Sequence, residues 1–212
     1  MKTIVTHIGP DIDAISSVWL LRKFKPGWVM ADVAFVPAGK TLDDQEVDSN
    51  PTVLHVDTGM GKFDHHQSEE KTCAASLVLD HLLEIDAIKD KYREALERLV
   101  EVVRCFDNFE ESSWEDADAD WFQFCLPDIL FGLKGMSYTN EEVIEMGEKM
   151  LESVFLLLQQ KVYAEKDIES GFVFTSPWGR TLALESRNSQ VAHVALKAGY
   201  DMILWKRPDD RA

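Results

Sequence analysis

Three short apolar runs constrain this chain most: KTIVTHI near its start, WVMADVAFV after Pro26–Gly27, and TVLHVDTG at 52–59. The first alternates, then turns apolar and stops at the Gly9–Pro10 breaker, so it reads as a strand. DAISSVWLLRKF follows with apolar residues at helical spacing and ends before Pro26–Gly27, the pattern of a helix. The other two runs read as second and third strands, the third entered from Pro51. Helical patterns then cover 73–84 and 89–106. Strand, helix, strand, strand, helix predicts an α/β fold, with a mainly parallel Rossmann-like sheet flanked by helices.

Residues 108–120, NFEESSWEDADAD, are acidic and turn-rich and read as a surface loop. A short helix is predicted over 127–134 and a long one over 139–168, with Thr139 or Asn140 as N-cap and Glu141 and Glu142 in the first turn. GFVFTS, GRTLALE, SQVAHVALKAG and DMILWK then read as strand, strand, helix and strand, a small α/β appendage. The expected organisation is therefore a domain over 1–168 and a short α/β segment over 169–212, in which a truncated substrate domain is one reading. A chain of 212 residues, 45% hydrophobic, can bury a full core of that size.

Charge narrows the partners. The net charge of −16 argues against a surface for duplex nucleic acid, which needs a basic face. Residues 171–212 carry six Lys/Arg against four Asp/Glu, so an acidic body of about −18 is followed by a mildly basic tail. No apolar run is long enough to span a bilayer, and the N-terminal stretch lacks the hydrophobic region of a signal peptide. Three cysteines without CxxC spacing (Cys73, Cys105 and Cys125) read as reduced thiols of a cytoplasmic protein. Assembly into a homodimer is left open.

In open α/β sheets, sites gather in the loops that follow the carboxyl ends of the strands. His7, Asp11 and Asp13 follow the first strand, Asp57 ends the third, and Asp64, His65 and His66 come in the loop after it. Asp107 ends a long helix, where a carboxylate faces the negative pole of the helix dipole. Singly, each has a structural explanation: Asp11 and Asp13 suit turn and N-cap positions. Together, four aspartates and two or three histidines on one rim repel one another without cations. Two divalent ions resolve this, with Mn²⁺ suited to the mixed carboxylate and imidazole set and Mg²⁺ or Co²⁺ as competitors. Asp57 is the most economical bridge between ions about 4 Å apart, the arrangement used for in-line phosphoryl displacement. His55 and His81 read as structural, and Ser16 and Ser17 have no partnered base.

HIGPDID, the lone Asp57, DHH and the downstream Asp107 resemble the four motifs of the DHH phosphoesterase superfamily. FDHHQ, LVEVVRCFDNFEE and LPDILFGLKGMSYTNEEVIEMGEKMLESVF are similar in style and order to one branch, the melanocyte-proliferating-gene family of metal-dependent exonucleases. The chain departs from that branch in its first motif, and it shows no GGGH motif of the usual companion domain. The resemblance implies His7, Asp11 and Asp57 on one ion, and Asp13, Asp57, His65 and Asp107 on the other. It implies His66 on the substrate phosphate, and Asp64 orienting the histidines. Arg180, Arg187 and His193 in the tail are candidates for further anion contacts. The expected activity is two-metal hydrolysis of phosphodiesters in short oligonucleotides or dinucleotides. The rivals are a pyrophosphate or other phosphoanhydride hydrolase, and a non-catalytic metal-containing binding module.

Overall fold

The computed structural model describes residues 1–208; residues 209–212 of the expected C-terminal segment lie outside the described residues. Two compact units, Met1–Val154 and Phe155–Ala212, divide the chain. The division falls inside a long helix rather than after it.

The first unit is built on a parallel three-stranded sheet of β1 (Thr3–His7), β2 (Asp32–Val36) and β3 (Val53–His55), in the order β2-β1-β3. β1 is central, pairing Thr3 with Asp32 on one side and with Val53 on the other, and Ile4 and Val5 are fully buried. The fold class is the α/β architecture that the sequence pattern predicts. Two strands are shorter than their apolar runs. Residues 28–31 turn, with the Ala31 amide donating to the Trp28 carbonyl, so β2 starts only at Asp32. β3 ends at His55 because the backbone leaves extended geometry at Asp57, where φ is +54°.

Helix α1 (Ile12–Phe24) is buried along its whole first part, from Ile12 to Leu21, because α2 (Ala74–Glu84), α3 (Asp90–Asp107) and α4 (Leu126–Lys134) all contact it. α3 is amphipathic in the expected way: Ala95, Leu96, Leu99, Val100 and Val103 form its buried stripe. The predicted loop at 108–120 includes a 3-10 turn at Glu110–Ser113.

The long helix α5 (Asn140–Glu169) opens with a reciprocal cap. The Glu142 amide donates to Thr139 Oγ1 at 3.2 Å, and the Thr139 amide donates to Glu142 Oε2 at 2.8 Å. Thr139 is thus the N-cap, which releases Asn140 for another task described below. Gly147 lets α5 approach α1 closely, since a Cβ there would lie 2.6 Å from Ile15 Cγ2.

The second unit holds the end of α5, the hairpin β4 (Phe172–Ser176) and β5 (Gly179–Glu185), α6 (Val191–Lys197) and β6 (Met202–Lys206). β4 pairs antiparallel and β6 parallel with the central β5. Its own small core joins Ala164, Ile168, Leu182, Val191, Ala195 and Tyr200. Among the described residues no helix is long and apolar enough to cross a membrane.

Candidate metal centre

The loops at the carboxyl ends of β1 and β3 bring the candidate residues of the first unit together. His7 is the last residue of β1, and Asp11 is the N-cap of α1. Asp11 Oδ1 accepts the amides of Asp13 and Ala14 at 3.0 and 3.1 Å, while its Oδ2 lies 3.7 Å from His7 Nε2. Capping thus occupies one oxygen and leaves the other turned toward His7 and available to a cation. The intervening turn is clamped from two sides: Asn140 Oδ1 accepts the Gly9 amide at 3.0 Å, and Lys134 Nζ donates to the Gly9 carbonyl at 2.8 Å. The sequence reading missed both clamps, since nothing local links positions more than a hundred residues apart.

Asp13 is fully buried, and its two oxygens accept the amides of Ala74 and Ala75, each at 2.7 Å, at the N-terminus of α2. Burial pushes its carboxyl well above the ordinary value, helped by repulsion from Asp57 and Asp107 and opposed by those two amides. Asp107 sits at the last position of α3, and burial raises its carboxyl to about 6. Nearby His65 pulls it back, while Asp57 and Asp11 push it further up.

Asp57 stands between the two sets of side chains. Its Oδ2 is 3.2 Å from His7 Nε2, and its Oδ1 is 3.5 Å from His65 Nε2. Burial would raise its carboxyl, but the two imidazoles bring it below the ordinary value. Burial lowers the His7 imidazole, yet the Asp57 hydrogen bond and the Asp11 charge carry it up to about 9. The Asp57 carboxylate likewise raises His65 to about 9 against its burial, with Asp107 and Asp13 adding to the effect.

The donor set fits divalent cations on an observation independent of any resemblance. His65 Nε2 and Asp107 Oδ2 are both buried and have no hydrogen-bond partner, although they face each other at 3.5 Å. Asp13 Oδ2 lies 3.7 Å from the same nitrogen. Buried polar atoms are normally hydrogen-bonded, and an ion among them satisfies both. Three such groups, His7–Asp11–Asp57, Asp13–His65–Asp107 and Asp57–His65–His66, each place three candidate ligand atoms within 4.8 Å of one another.

The neighbouring histidine differs. The His66 side chain is 57% exposed, and its Nδ1 pairs with Asp64 Oδ1 at 2.8 Å. Asp64 is buried; its Oδ1 also accepts the His66 amide at 3.1 Å, and its Oδ2 accepts the Met60 amide at 2.7 Å. Asp64 thus orients His66 and shapes the turn, but among the described residues it makes no hydrogen bond to His65. His55 Nε2 accepts the Leu42 amide at 3.0 Å, and His81 pairs with Lys25 Nζ at 2.7 Å, both structural roles.

Arg180, Arg187 and His193 belong to the second unit. The Arg180 guanidinium lies 4.1 Å from the centre of the Tyr200 ring, Arg187 lines a cleft of about 620 Å³ with Tyr163, Asp167, Ser186 and Asn188, and His193 is exposed on α6.

No protein-family model and no curated protein matches the chain. Among solved structures it is similar to a DHH domain described as a member of a family of ribosomal proteins, at 12% identity and a TM-score of 0.34, covering 98% of this chain and 72% of that one.

The protonation pattern has a measurable consequence. Metal ligation requires neutral imidazole, whereas His7 and His65 hold protons up to about pH 9 in the metal-free protein. Binding of a divalent cation by these imidazoles at pH 7 is expected to release protons, with affinity rising as pH climbs toward 9 and the release fading beyond it. Calorimetry in buffers of different ionisation enthalpy measures this directly.

Proposed function

We propose that the first unit is a two-metal phosphoesterase of the DHH type that hydrolyses phosphodiester bonds in short oligonucleotides or dinucleotides. The observation that carries the reading is Asp57, a buried carboxylate with one oxygen turned to His7 and the other to His65. A carboxylate placed in that way is suited to bridge two ions. His7, Asp11 and Asp57 would hold one, and Asp13, Asp57, His65 and Asp107 would hold the other. With Mn²⁺ in these sites, or Mg²⁺ or Co²⁺ as substitutes, the centre would gain Lewis-acid activation of water and neutralisation of charge on the phosphate.

The chain's own residues do the rest. Asp13, locked by two amides of α2, ties the start of α1 to the start of α2. His66, exposed and aimed by Asp64 through Nδ1, donates from Nε2 to a phosphate oxygen of the substrate when both ring nitrogens carry protons, and stabilises the charge that develops there. Asp64→Asn is expected to lower turnover about 10- to 100-fold while leaving the amount of bound metal unchanged; initial rates and metal analysis on the same sample check this.

The test of the function is Mn²⁺-dependent hydrolysis of a short end-labelled RNA, run beside pyrophosphate and a cyclic dinucleotide, with Asp57→Asn as control. Release of mononucleotides that the substitution abolishes is the expected result, and the cleavage ladder gives the polarity. Phosphate from pyrophosphate alone would make the protein a phosphoanhydride hydrolase. Bound metal with no turnover would make it a binding module.

A further inference from the structure

We propose that Phe109 is a nucleobase-stacking residue beside the metal centre, so that the substrate is a base-bearing phosphodiester and not a bare phosphoanhydride; the inference rests on the phosphoesterase reading above. Phe109 follows Asp107 by two positions and is 74% exposed. At about 3.6 Å per residue or less, its Cα lies within roughly 7 Å of the Asp107 Cα. The ring is therefore rooted close to a candidate metal ligand, within one nucleotide's span of a phosphate bound at the centre.

The backbone of Phe109 is held while its ring is left in solvent. The residue has φ +55° and ψ +27°, the left-handed region that a bulky side chain rarely adopts. It directly follows the C-cap Asn108, a position where helices favour glycine. Asn108 Nδ2 donates to the carbonyls of Thr72 and Arg104, at 3.0 and 2.9 Å. The Phe109 carbonyl accepts Ser112 Oγ at 2.6 Å. Glu110 accepts from Arg104 Nη1 at 3.0 Å and from Lys71 Nζ at 3.4 Å. A turn fixed on both flanks thus presents an exposed aromatic ring next to a ligand, at a position where glycine would relieve strain. Strained, over-determined residues of this kind concentrate at functional sites.

The other loops of the centre share the pattern. Met60, between Asp57 and Asp64, also has positive φ (+57°), a pinned amide and an exposed side chain. Ile8, next to His7, is exposed as well. Each of three ligand-bearing segments therefore places an exposed apolar side chain within three residues of a ligand. Such a rim has nothing to offer a small polyanion such as pyrophosphate, whereas the flat face of a base stacks on it regardless of sequence.

The test compares the Mn²⁺-loaded full chain on the dinucleotide ApA, on the same backbone with abasic sugars, and on pyrophosphate. The expected KM for ApA is about tenfold or more below that for the abasic analogue. In Phe109→Gly the ratio of the two KM values should collapse toward one, and in Phe109→Trp it should persist or grow. Phe109→Gly should melt no lower than the parent, because glycine suits the left-handed position, so the loss cannot be assigned to unfolding. ApA and its abasic analogue cleaved with equal KM, or a ratio unchanged in Phe109→Gly, overturns the inference and leaves the phosphoesterase reading standing. Cleavage of pyrophosphate alone, or of nothing, overturns both.

Discussion

Replacing Asp57 by Asn is expected to lower metal-dependent turnover at least a hundredfold without unfolding the protein. Partners that merely orient metal ligands cost about 10- to 100-fold when removed, and Asp57 is placed to contribute to both ions at once. An amide presents one oxygen and one NH₂ group, so it ligates from one side only and brings no negative charge. The backbone tolerates the change, because asparagine accepts the left-handed conformation at φ +54° as readily as aspartate. The substitution also has a signature in the metal-free state. His7 and His65 are raised to about 9 largely by Asp57, so both should fall toward 6.5 in the variant, as read by NMR titration. In the parent these raised imidazoles contribute stability that is full below about pH 6.5 and is lost as pH rises through about 9. The variant should lose most of that slope. Unchanged histidine titrations together with full activity would remove Asp57 from the centre.

Removing the metals should lower the melting temperature of the first unit by an amount on the order of 10–20 °C. A ligand at a hundredfold excess over its Kd stabilises by about 2.7 kcal/mol per site, so two sites give roughly 5 kcal/mol. For a unit of this size each kcal/mol shifts the midpoint by about 2–4 °C. The direction follows from the carboxylates. Burial raises the pKa values of Asp13 and Asp107, repulsion from Asp57 raises both further, and a bound cation would turn that repulsion into attraction. Calorimetric scans with Mn²⁺ and with a chelator make the comparison. A midpoint that does not move would mean that the metal-free cluster is already relaxed and that its orphaned atoms have another origin.

Much of this was legible in the sequence because it is local. The order of strands and helices followed from periodicity and breakers, and the α3 stripe or the Thr139 cap needs only a few neighbouring residues. His7, Asp11, Asp57 and His65 could be nominated because parallel α/β topology sends every strand end to the same rim. What escaped was set by long-range packing. The double amide cap that Asp13 gives α2 depends on how α1 meets α2, and the Gly9 clamps depend on α4 and α5. The β3 run TVLHVDTG looked like one strand because φ at Asp57 leaves no mark in composition. Phe109 was hidden for a similar reason: it lay inside a stretch read only as an acidic surface loop, and the φ of +55° that fixes its backbone leaves no mark in composition.

The measurement that bears most directly on the two-metal centre is an electron paramagnetic resonance titration of the metal-free chain with Mn²⁺, in the parent and in Asp57→Asn. A carboxylate-bridged pair predicts two ions per chain, with the spectrum of a spin-coupled pair as the second equivalent enters and isolated ions in the variant. A single isolated Mn²⁺ in the parent, or a coupled pair that survives the loss of Asp57, would contradict the bridging role from which the proposed chemistry is built.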